Sequence, residues 1–364
     1  MEAEDLIYLI SCAVNGVKAD PERIAGMDMD ALYKQANTHL LTAAVAHALE
    51  TAGVKEERFV KAKKHSALKN AQMDMEMAEV FVELDAAGIW HMPLKGTILQ
   101  HMYPVYGMRQ MSDHDILFEA KRADDVKSIM EKLGFSVEHF GAGNHDVYHK
   151  EPVSNFEMHT SLFGSGNNEK MYKYYTDVEK RLLGDGYEKH FSPEDFYIYM
   201  LAHEYEHYSV GGTGLRSILD VYVYLQKESL DMDYVAMETE KLGIAEFETS
   251  NRSLAQHLFS GKELTDADKE MLEYVLSSGV YGTMDHRVEN RMKEYGGGKI
   301  WYMLNRFFVP VSKNNKRYQA MAAYFPFFYK HKILLPLLPF YRVLRGLKNG
   351  KMIRELKILK QVKK

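Results

Sequence analysis

Apolar positions recur at helical spacing through the first 88 residues. The stretch from Asp30 to Ala52 is rich in Ala, Leu and His at that spacing, with Asp30 as candidate N-cap and Gly53 to close the helix. Residues 56–87 are good helix formers without Pro or Gly and stop at Gly88. The pattern predicts several helices packed on each other or on the segment after residue 88.

At residue 89 the pattern changes. IWHMPL (89–94) is apolar and strand-like, and KGTILQHMY (95–103) reads as a turn into a short helix. Tyr103-Pro104 and Gly107 mark a loop. DHDILFE (113–119) predicts a strand, and 120–134 an amphipathic helix closed by Gly134. Segments near 135–140, 145–151 and 155–163 alternate as strands of one sheet. Strand, helix, strand, helix, then three strands predict an α+β fold: a small mixed β-sheet with helices packed on it.

From 169 to about 300 the chain reads as helical again. Ser192-Pro193-Glu194 has Ser at an N-cap and Pro in the first turn. The helix it starts carries HEYEH (203–207). GGTG (211–214) breaks the chain before GLRSILDVYVYLQKES begins another helix. The expected organisation is an N-terminal helical region (1–88), an α/β core (89–165), a helical domain completing a cleft (166–300) and an apolar, basic tail (301–364).

Charge sharpens that division. The net charge is −5, yet residues 301–364 hold fifteen Lys/Arg against one acid, Glu355. That segment is therefore +14 and the remainder −19. A basic tail on an acidic body can dock on it, or meet an anionic membrane surface. Specific nucleic-acid binding is not expected, because the chain before residue 301 is acidic and no known module is present. Cys12 is the single cysteine, so no internal disulfide forms. The acidic N-terminus is unlike a secretory signal. No apolar run approaches the roughly 20 residues of a membrane helix. A cytoplasmic protein, with peripheral membrane association as an option, is the expectation.

The chemistry centres on Asp113 and Asp115. Two apart on a strand, they share a face, with Cα atoms about 7 Å apart. Parallel carboxylates repel, and a divalent cation relieves that repulsion. Upstream, Lys95-Gly96-Thr97 follows a strand and opens a helix, where free N–H groups and the helix dipole favour an anion. Lys95 supplies charge and Thr97 a hydroxyl. Glu157 is the candidate third carboxylate, with His159 two residues on and facing the same side. Arg109 precedes the pair and can hold a phosphate or steady Asp113. An Asp-x-Asp pair alone also marks solvated strand ends; the order of KGT, Arg, Asp-x-Asp and Glu on strand–helix–strand elements sets this one apart.

With these residues in view, PLKGTILQHMYPVYGMRQMSDHDILF resembles the uncharacterised nucleotidyltransferase family of bacteria, within the DNA polymerase β-like superfamily. Gly96-Thr97 stands where that superfamily has Gly-Ser. Glu157 falls in a stretch that in the family tends to read acid, hydrophobic residue, His. The segments with His203, Arg216 and Asp220, and the basic C-terminal end, are similar to the family too. The resemblance implies a nucleoside triphosphate, most simply ATP, with its phosphates on Lys95, Gly96 and Thr97. It implies two Mg²⁺ ions, with Mn²⁺ as an alternative, on Asp113, Asp115 and Glu157. It implies an acceptor oxygen attacking the α-phosphorus, the acceptor itself being unknown. His159, His203, His207, Arg216 and Asp220 become cleft residues.

Two rival readings remain. His203-Glu204-Tyr205-Glu206-His207 matches HExxH, the zinc-peptidase pattern of two His ligands and a Glu that activates water. It lacks the HxxGxxH extension, since 208–215 reads YSVGGTGL. The other rival is a non-catalytic nucleotide-binding protein on the same fold.

Overall fold

The computed structural model describes residues 2–141, 143–164, 168–294, 298–310, 317–348 and 351–361. It is an α+β protein built on one five-stranded sheet.

The N-terminal region is α1 (Glu2–Val14), α2 (Pro21–Ala25), α3 (Met29–Thr38), α4 (Thr42–Thr51) and α5 (Glu57–Ala86). The single helix expected over 30–52 is two. Asp28, not Asp30, is the N-cap of α3, accepting from the N–H groups of Asp30 and Ala31. The chain breaks at Leu40, whose φ of 53° lies in the left-handed region and cannot continue a right-handed helix. Helix α5 matches its predicted span within a residue at each end. Glu56 caps it through the N–H of Phe59, and Gly88 turns away at φ 66°.

The sheet comprises β1 (His91–Pro93), β2 (His114–Phe118), β3 (Ser136–His139), β4 (His145–Lys150) and β5 (Ser154–His159), in the order β1-β2-β5-β4-β3. Only β2 and β5 run parallel; the other neighbours are antiparallel. Between β1 and β2 lies the short α6 (Gly96–Leu99), and between β2 and β3 lies α7 (Ala123–Lys132).

Strand alternation divides the sheet into two faces. Ile116, Phe118, Phe156, Met158 and Tyr148 join Val80 and Leu84 of α5 and Val126 and Met130 of α7 in one core. The opposite face carries Asp115, Glu157 and His159. It looks toward the helical region, whose larger core includes Leu117, Met92 and Leu94 of the sheet segment.

That helical region runs α8 (Glu169–Tyr174), α9 (Pro193–Val210), α10 (Leu215–Lys227), α11 (Met232–Leu242), α12 (Ala245–Ser260) and α13 (Asp266–Ser278). Ser192 caps α9 through the N–H of Asp195, as Ser-Pro-Glu predicts. The chain continues through α14 (Met284–Glu294), α15 (Lys299–Phe307), α16 (Arg317–Tyr324), α17 (Pro326–Lys330), α18 (Leu338–Lys348) and α19 (Lys351–Gln361). Among the described residues these last helices gather around two small apolar clusters of their own rather than joining the main cores. No described helix is long and apolar enough to cross a membrane.

Candidate active site

The turn from β1 into α6 sets the position of Lys95. Its backbone takes φ 43°, ψ −118°, a conformation that L-residues rarely adopt. Strain of this kind persists only where surrounding contacts enforce it. Here the side chain supplies them. Lys95 Nζ donates to Asp115 Oδ1 at 2.8 Å and lies 3.0 Å from His203 Nε2 on α9. The ammonium therefore joins the sheet to the helical region.

Asp115 faces Glu157 across the parallel pair of β2 and β5. Two residues along, Leu117 faces His159, and His159 in turn faces His145 on β4. His159 Nε2 donates to Asp115 Oδ1 at 2.8 Å. Burial alone would raise the Asp115 carboxyl, but Lys95 and His159 hold it well below the usual range. Asp113 is raised by burial and by repulsion from Asp115. Glu157 is pushed up to about 7 by burial, then by the charges of Asp115 and Asp113. Three carboxylates thus crowd one another, which is the electrostatic state that a bound dication relieves. The donor set fits a divalent metal.

A family model described as an uncharacterised nucleotidyltransferase matches residues 25–260, more than half of the chain. The chain belongs to this uncharacterised nucleotidyltransferase family. No curated protein matches. Among solved structures it is similar to an antigenic nucleotidyltransferase-like protein from Paracoccidioides brasiliensis, at 15% identity and a TM-score of 0.34. That match covers 54% of this chain and 96% of the other.

Several side chains expected on the nucleotide are otherwise engaged in this member of the nucleotidyltransferase family. The Thr97 hydroxyl is buried against His114 Nδ1 at 2.9 Å, and its N–H donates to Leu94 O. The N–H is thus not left for a phosphate, and the hydroxyl is turned toward His114. Arg109 is buried and bidentate on Asp220 of α10, with Nε to Oδ1 at 2.8 Å and Nη2 to Oδ2 at 2.9 Å. Arg109 thus fastens the loop before β2 instead of meeting a phosphate. Gly96 has a related reason: a Cβ there would lie 2.5 Å from Arg109 Nη1. The guanidinium, rather than a ligand, requires glycine.

Asp220 also accepts from the Tyr103 hydroxyl at 2.7 Å. Arg216 donates to Gln110 O at 2.9 Å, and burial beside Arg109 lowers its pKa. Arg216 and Asp220 therefore act from beneath the site, on the loop that carries Asp113. Lys95, Asp113, Asp115, Glu157, His159 and His203 are brought together.

The HEYEH residues separate. His203 and His207 share a face, with their Nε2 atoms 3.2 Å apart. His203 is held well below its ordinary pKa by burial, Lys95 and His207, so Nε2 accepts from the Lys95 ammonium. Glu204 points elsewhere. It is buried toward Asn251 and Asp220, and burial pushes it up to about 8. A neutral carboxyl beneath the helix cannot activate water between the two histidines. An ammonium at one of them also repels a zinc ion. The arrangement does not suit the peptidase reading.

Residue-by-residue reading missed His145. Its Nε2 lies 3.7 Å from Glu157 Oε2, as does that of His159. The signal was available in the alternation of HDVYHKE, which puts His145 on the same face as Val147 and His149. What was lacking was the register that sets it opposite His159.

Proposed function

We propose that the protein transfers a nucleoside monophosphate from a nucleoside triphosphate, most simply ATP, to an acceptor hydroxyl or phosphate. The observation that carries this is the trio of Asp113, just before β2, Asp115 on β2 and Glu157 on the parallel β5, beside the lysine of the KGT turn. Family membership supports the general reaction class.

In this reading Asp113, Asp115 and Glu157 would hold divalent metal, Mg²⁺ by preference for an all-carboxylate set. When bound, such ions polarise the α-phosphate and steady the leaving pyrophosphate. The chain's own contribution is positional. Lys95 is close enough to Asp115 to share its charge with a phosphate oxygen. His159 fixes the Asp115 carboxylate by hydrogen bonding to it. Where Glu157 does not ligate the second ion, its carboxylate would accept the proton from the acceptor hydroxyl as that oxygen attacks the α-phosphorus. A new oxygen–phosphorus bond forms, and the bond to pyrophosphate breaks.

The test is incubation of the protein with each of four α-labelled nucleoside triphosphates, Mg²⁺ and cell extract. Label should move to an acceptor with the wild-type chain, and not with Asp113→Asn or Asp115→Asn. Equal transfer by wild type and both variants would remove this reading.

A further inference from the structure

The geometry points to a transition-metal site formed by His145, Glu157 and His159, beside the all-carboxylate positions. Each of the three offers one ligand atom, and these atoms lie within 4.8 Å of one another. Both histidine Nε2 atoms are 3.7 Å from Glu157 Oε2. Ligands about 2.1 Å from a common ion stand roughly 3.4 Å apart in a tetrahedron and about 4.2 Å apart when opposite. The two histidine–glutamate distances need a contraction of only a few tenths of an ångström to reach tetrahedral spacing. On binding, His159 gives up its Nε2 hydrogen bond to Asp115 Oδ1, 2.8 Å away, and carries its remaining proton on Nδ1, while Asp115 stays with Lys95 Nζ.

The framework is rigid where it matters. His145 and His159 occupy paired positions on antiparallel strands, and Glu157 is on the same face of β5. Their rings stand with centroids 5.0 Å apart. His145 Nδ1 and His159 Nδ1 are buried without a hydrogen-bond partner. A buried His159 and a half-buried His145 converging on one carboxylate are poorly explained by packing alone.

Two imidazoles and a carboxylate select borderline ions of the manganese-to-zinc series over Mg²⁺, which prefers oxygen ligands throughout. The inference deepens the proposed nucleotidyl transfer, since it shares Glu157, but binding can be read without any reaction. The chelator-stripped full-length protein should be titrated with Co²⁺ and followed by visible absorption. One equivalent should develop a ligand-field band that stoichiometric Zn²⁺ removes and a hundredfold excess of Mg²⁺ does not. His145→Asn, still folded by circular dichroism, should weaken Co²⁺ binding at least about 10- to 100-fold, since losing a direct ligand costs no less than losing an outer-shell partner. Asp113→Asn should keep the band while losing nucleotide transfer, separating this inference from the reaction. No band in the wild type, displacement by Mg²⁺, or a band indifferent to His145→Asn would each overturn the site.

A separate observation concerns the C-terminal helices. We infer that they rest on an anionic lipid surface. Ile333 is 93% exposed, Leu344 67%, Phe340 60% and Leu337 56%. Large apolar side chains this open are costly in water unless something covers them. The segment around them, 301–364, carries +14. Cations interleaved with exposed aromatic and aliphatic groups match a bilayer of acidic headgroups, which attracts each Lys or Arg held near its surface. No described helix can span, so the contact is peripheral.

Full-length protein should float with vesicles containing one-third phosphatidylserine and remain behind with pure phosphatidylcholine vesicles. Ile333→Asp combined with Phe340→Asp should cut flotation at least tenfold without changing the melting temperature, because both side chains are exposed. Equal flotation by the variant, or binding to RNA with none to acidic vesicles, would overturn the membrane reading.

Discussion

Asp115 and Glu157 are register partners on the only parallel strand pair of the sheet, and each raises the cost of charge on the other. Groups that act as one unit lose function together. Asp115→Asn and Glu157→Gln should each lower nucleotide transfer by roughly 100-fold or more, the scale of losing one charge-stabilising group. The double variant should be scarcely worse than the poorer single one. Steady-state rates of the three variants check this. A double loss equal to the product of the singles would mean that the two carboxylates act independently.

Glu204 gives a pH signature. Its folded pKa of about 8 stands above the usual carboxylate value because the group is buried. Below the unfolded pKa both states hold the proton and there is no penalty. As pH rises toward 8, the unfolded chain releases a proton that the folded chain keeps, so stability falls. Glu204→Gln should raise stability by about 3 kcal/mol at pH 7 and by little near pH 4. Denaturant melts at the two pH values measure the difference; a gain independent of pH would contradict the assignment.

Arg109 and Asp220 form a bidentate pair in which both groups are buried. Removing one member strands the other charge. Arg109→Met should cost about 3–5 kcal/mol. Asp220→Leu in that background should restore part of it. Thermal unfolding of the single and double variants decides, and no recovery in the double would indicate that the pair is not the source of the loss.

Gly96→Ala places a methyl group 2.5 Å from Arg109 Nη1. The expected cost is about 1–3 kcal/mol, the scale of overpacking. It should shrink in the Arg109→Met background, because the clashing atom is gone. An unchanged cost would put the requirement for glycine elsewhere, as on a bound phosphate.

Local chemistry made much of this legible. Ser192-Pro193, Gly88 and Gly134 mark real element ends, and the alternation in 113–119 and 155–163 put Asp115, Glu157 and His159 on one face of a mixed sheet. What residue spacing could not supply was long-range partnership. Arg109 reads as a free cation until Asp220, 111 residues later, is seen to hold it. Thr97 reads as a phosphate donor until His114 claims its hydroxyl. His145 needed the β4–β5 register. The HEYEH histidines looked like a metal pair because periodicity shows which residues share a face, but not that Lys95 would arrive there. The break at Leu40 is similar: a leucine carries no turn signal, yet its backbone turns left-handed there.

The loop between α6 and β2 is fastened on two sides. Ser66 and Asn70 of α5 donate to its carbonyls at Gly107 and Arg109, at 2.8 and 3.0 Å. Asp220 and Arg216 of α10 hold it from the other side. Asp113 sits at the end of this loop, so its carboxylate is aimed before any substrate arrives. Under the proposed transfer, little ordering would be left to do on binding, and shape rather than induced closure would discriminate among acceptors. A site aimed in this way would favour a small or rigid acceptor whose attacking oxygen already fits, and penalise one that had to displace the fastened loop.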